Sequence, residues 1–110
     1  MVSIDPDVLN RVYELSLEFG KNWRRPVLTI VQEVSPYLSL EEQQQISTYI
    51  EETRGRIETY VSERYVDDQP GRISKLQRQC TEWIKAEFPW MRAETILHAI
   101  SQAIYYAWHG

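Results

Sequence analysis

Cysteine is nearly absent: Cys80 stands alone, so no disulfide can form within the chain and any core must hold without covalent staples. A lone thiol fits a reducing compartment. Glycine and proline are scarce, with four and five in 110 residues. That excludes a low-complexity or loop-dominated chain and leaves long stretches free to keep one periodicity. No apolar run approaches the roughly 18 residues of a membrane span. The start, Met1-Val2-Ser3-Ile4-Asp5-Pro6-Asp7, carries acids where a secretory signal needs a basic segment and an apolar run. The expectation is a cytoplasmic protein without a membrane anchor. Positive charge is in deficit, 12 Lys and Arg against 16 Asp and Glu, for a net charge of −4. Such a chain on average repels phosphate, which argues against nucleic acid as a partner.

What remains is ordinary for a folded domain, with 43 % hydrophobic and 25 % charged residues. A chain this long buries one core, so residues 1–110 are expected to form one domain. The periodicity predicts an all-α antiparallel bundle of about five helices. Asp5 is placed to cap the first, with Pro6 at the favoured first position, and Val8, Val12, Leu15, Phe19 and Trp23 supply its apolar face. A second helix starts near Pro26 and carries Val27, Ile30, Val31 and Val34; Ser35-Pro36 ends it, because the residue before proline avoids the α region. Ser39 and Glu42 have capping-box spacing, with Leu38 placed as a staple residue. Ile46, Tyr49, Ile50, Thr53, Ile57, Tyr60 and Val61 then hold one stripe. Gly55 falls on the opposite, polar side, so one long central helix is expected from about Leu40 to Tyr65, roughly 39 Å.

Asp67-Asp68-Gln69-Pro70-Gly71 reads as a loop. A fourth helix follows and buries Ile73, Leu76, Cys80, Trp83, Ile84 and Phe88. Phe88-Pro89-Trp90 makes a turn. The last helix starts near Met91 and turns Ala93, Ile96, Leu97, Ile100, Ala103, Ile104, Ala107 and Trp108 inward.

Candidate chemistry is thin. Cys80 projects onto the middle of an apolar stripe, which suits an inert core thiol better than a nucleophile. Glu94 and His98 are one turn apart, but two ligands do not make a metal site, and His109 lies roughly 16 Å further along the axis. The acids Glu41, Glu42, Glu51, Glu52, Glu58 and Glu63 line a solvated helix face, where nothing raises a catalytic pKa. A Gly-rich phosphate loop, a Cys-x-x-Cys pair and a Ser-His-Asp pattern are all missing. No enzyme, cofactor or metal is therefore expected, although a site assembled from distant residues is the third reading.

Two surface readings compete. Seven Tyr and four Trp exceed what so small a core requires, and these residues are enriched at protein interfaces. Tyr13, Tyr37 and Tyr65 project to the edges of buried stripes. The outer side of the last helix is expected to carry Glu94, His98, Gln102, Tyr105 and His109 as a partner-binding strip. The favoured function is a non-enzymatic protein–protein interaction module of inhibitor, immunity, adaptor or assembly-chaperone type. Its partner is another protein or a second copy of the chain, the latter because the long helix outreaches a compact body of this size and a copy packed against it would cover its ends. The alternative is a small regulatory domain that binds an anion or nucleic acid through Arg24, Arg25, Lys75 and Arg78. Glu82 lies within reach of Arg78 and weakens that patch. The second helix offers few side chains suited to reading base edges, so a helix-turn-helix reading fails.

Overall fold

Aspartate, proline and serine at the segment boundaries do locally what their chemistry dictates. In the computed structural model, which describes residues 5–17, 25–65 and 72–109 apart from the side chains of 72 and 109, the chain forms α1 (Pro6–Leu17), α2 (Val27–Val34), α3 (Leu40–Arg64), α4 (Arg72–Glu87) and α5 (Ala93–His109). Helices are the only regular elements among the described residues, so the fold is all-α. None of these helices is long and apolar enough to cross a membrane. The expected run of α1 through Gly20 to Trp23 and the expected loop over 67–71 lie outside the described residues.

The contacts divide the chain into two compact units, Met1–Thr53 and Arg54–Gly110, with the boundary inside α3. In the first unit Asp5 caps α1: its Oδ1 accepts from the Asp7 N–H at 2.9 Å. The α1 face that turns inward carries Val8, Leu9, Val12, Tyr13 and Leu17, joined by Val27, Ile30 and Val31 of α2. Tyr13 is buried rather than rimming the core, and Leu15 is only half-buried. The buried arc thus sits a fraction of a turn away from the Val8–Val12–Leu15 line. α2 ends at Ser35, whose N–H donates to Val31 O at 2.8 Å.

α3 opens on a complete capping box. The Glu42 N–H donates to Ser39 Oγ at 3.1 Å, and the Ser39 N–H donates to Glu42 Oε1 at 3.2 Å. The fourth helical position, where a hydrophobic staple would need an apolar partner for Leu38, is Gln43. Its Nε2 donates to Ser35 O at 3.1 Å instead, tying the start of α3 to the end of α2. Ile46, Ile50 and Thr53 are buried in this unit, and Ile57 and Val61 in the next, so the stripe keeps its phase. Gly55 is exposed, and a Cβ built on it meets nothing within 4 Å.

In the second unit Leu76, Cys80, Ile84 and Phe88 are buried with Met91, Ile96, Ala99, Ile100 and Ala103. Ile73, expected inside, is 37 % exposed. The Phe88-Pro89-Trp90 turn forms as expected, closed by the Met91 N–H donating to Phe88 O at 3.0 Å. α3 and α4 are joined by aromatic packing. Tyr60 stacks on Trp83 with ring centroids 4.1 Å apart, and Trp83 meets Phe88 edge-on at 5.8 Å. The Arg56 guanidinium lies over Trp83 and Phe88 and pairs with Glu87 at 3.3 Å.

Candidate functional site

α5 is apolar around more of its circumference than its neighbours can cover, so some large side chains must face water. Thr95, Ile96, Ala99, Ile100, Gln102 and Ala103 are buried. Glu94, Leu97, Ser101, Tyr105 and Trp108 are exposed. They recur at three- and four-residue steps and so form one continuous stripe about 21 Å long. Leu97 is 60 % exposed, Tyr105 44 % and Trp108 61 %. The Tyr105 ring meets that of Tyr106 edge-on at 5.8 Å.

This placement corrects the expected strip. Glu94 and Tyr105 face outward as anticipated. Gln102 turns inward, His98 is half-buried, and Leu97 and Trp108 leave the core side for the surface. The His109 side chain lies outside the described residues. At about 100° per residue the outward arc is rotated by roughly 60° from the expected one, toward Leu97 and Trp108. Hydropathy drew Leu97 and Trp108 inward and Gln102 outward. Apolar character does not by itself force burial, since much of any folded surface is apolar.

Of the candidate cations, Arg25 belongs to the first compact unit and Lys75 and Arg78 to the second. Arg24 lies outside the described residues. Arg25 is held by Glu33 through two hydrogen bonds, at 2.6 and 3.2 Å, so its charge is locally matched. Lys75 and Arg78 are exposed on the outer face of α4 with Glu82 and Lys85. No ion pair joins Arg78 to Glu82 there, and the face is a solvated stripe of mixed charge. Tyr37, placed near a core edge from sequence, is 74 % exposed at the turn between α2 and α3, with Leu40 beside it at 57 %.

Cys80 is fully buried, and desolvation pushes its thiol pKa up, partly offset by attraction of the thiolate to Arg64. That is the reverse of what a nucleophile needs. Among the described residues no group of three or more His, Cys, Asp or Glu is placed to hold a metal ion.

No protein-family model, curated protein or solved structure matches this chain. In the second unit, two groups of described aromatic side chains stand out. Tyr60, Trp83, Phe88 and Trp90 contact one another in the α3–α4 cluster, with Phe88 and Trp90 edge-on at 6.4 Å. Tyr105 and Trp108 stand on the open face of α5. Sequence reasoning missed Leu97 and Trp108 as surface residues. The available signal was the sheer number of apolar positions around α5, more than one buried arc can hold.

Proposed function

We propose that this protein is a non-enzymatic interaction module that binds another protein through the outward stripe of α5. The observation that carries the reading is the continuity of Leu97, Tyr105 and Trp108 on one exposed helix face. Trp and Tyr are the side chains that most often anchor protein interfaces, because each covers a large apolar area and keeps a polar tip. Covering the exposed parts of three such side chains contributes about 1–2 kcal/mol apiece. Glu94 and Ser101 supply polar groups along the same line. A second copy of the chain presents the same stripe, so a homodimer is the simplest assembly of this kind.

The test pairs association with stability for Trp108→Ala and Leu97→Ser. Light scattering after size exclusion, at high micromolar concentration, reads self-association as a mass of twice 13.1 kDa. Capture from the native cell followed by mass spectrometry reads a foreign partner. Each substitution is expected to weaken whichever association is found by about 1–3 kcal/mol. Each should change unfolding free energy by less than about 1 kcal/mol, since an exposed side chain supports little core. Variants that keep the full association would overturn the reading. A large loss of stability would instead return these side chains to the core.

A further inference from the structure

We draw no further inference here: the strongest candidate, the open groove of about 470 Å³ between α3 and α5 lined by Glu58, Ser62, Glu63, Ala103 and Tyr106, carries nothing because its two carboxylates already pair with Arg54 and Arg64 along α3 and nothing in the structure shows what covers it.

Discussion

The thiol of Cys80 has Leu76 one turn behind it and Ile84 one turn ahead, all three shielded from water. A charged thiolate there would lose its hydration, which is why the pKa rises, and Arg64 returns only part of that loss. Thiol reagents should therefore modify the native protein at least about a hundred-fold more slowly than the unfolded chain, because reaction waits on opening of α4. Rapid labelling would contradict the burial. The sign of the pH dependence follows. With the folded pKa above the unfolded one, the neutral thiol's contribution is fully present below the ordinary thiol value of about 8.5. It is lost as pH rises from there toward the folded value, because the unfolded state gives up its proton first. Denaturant midpoints of wild type between pH 8 and 10 should fall more steeply than those of Cys80→Ala, which has no proton to lose. Equal slopes would remove Cys80 from the account.

Helix starts and stops are encoded next door to where they act, and two substitutions on α3 isolate such local effects. Ser39→Ala removes the oxygen that accepts the Glu42 N–H and should cost about 1 kcal/mol, with Ser39→Asp restoring most of it. Gly55→Ala should stabilise by about 0.5–1 kcal/mol, because open space awaits the methyl group and the unfolded chain loses freedom. Urea unfolding checks both, and a destabilised Gly55→Ala would show that this face of α3 is covered. The same locality explains what could be read in advance. Pro26, Ser35-Pro36, the Ser39–Glu42 box and Pro89 mark the helix boundaries to within a residue or two. Rotation of each helix about its axis was less legible. On α1 and α5, apolar side chains span more than one arc, and which arc is buried depends on neighbours distant in the chain. Hence periodicity alone puts Tyr13 too far out, and Leu97 and Trp108 too far in. The stacking of Tyr60 on Trp83 beneath Arg56 joins residues more than twenty positions apart. No periodicity within either helix reports it. The exposed stripe of α5 is legible in the sequence as a helix and a stretch of residues, but not as a face.

At the scale of the whole chain, the boundary between the two compact units falls at Thr53 and Arg54, in the interior of α3 rather than in a linker. The helix runs unbroken across it, from Leu40 to Arg64. Units of this size bury only a modest share of their surface and are marginal as independent folders. With one cysteine, neither unit can close an internal disulfide. Each half of α3, cut from the other, is also no longer than the ~12–15 residues at which isolated helices are marginal. Cooperative unfolding of the whole chain is therefore the expected outcome, and hydrogen exchange tests it at each helix. Cys80→Ser places a hydroxyl among apolar side chains of α4 and should cost about 1–3 kcal/mol. If the chain unfolds as one, the slowest-exchanging amides of α1 lose the same free energy of protection as those of α4, although α1 belongs to the other unit. Loss of protection confined to α4 and its unit, with α1 unchanged, would show two separately unfolding bodies and end the single-domain reading.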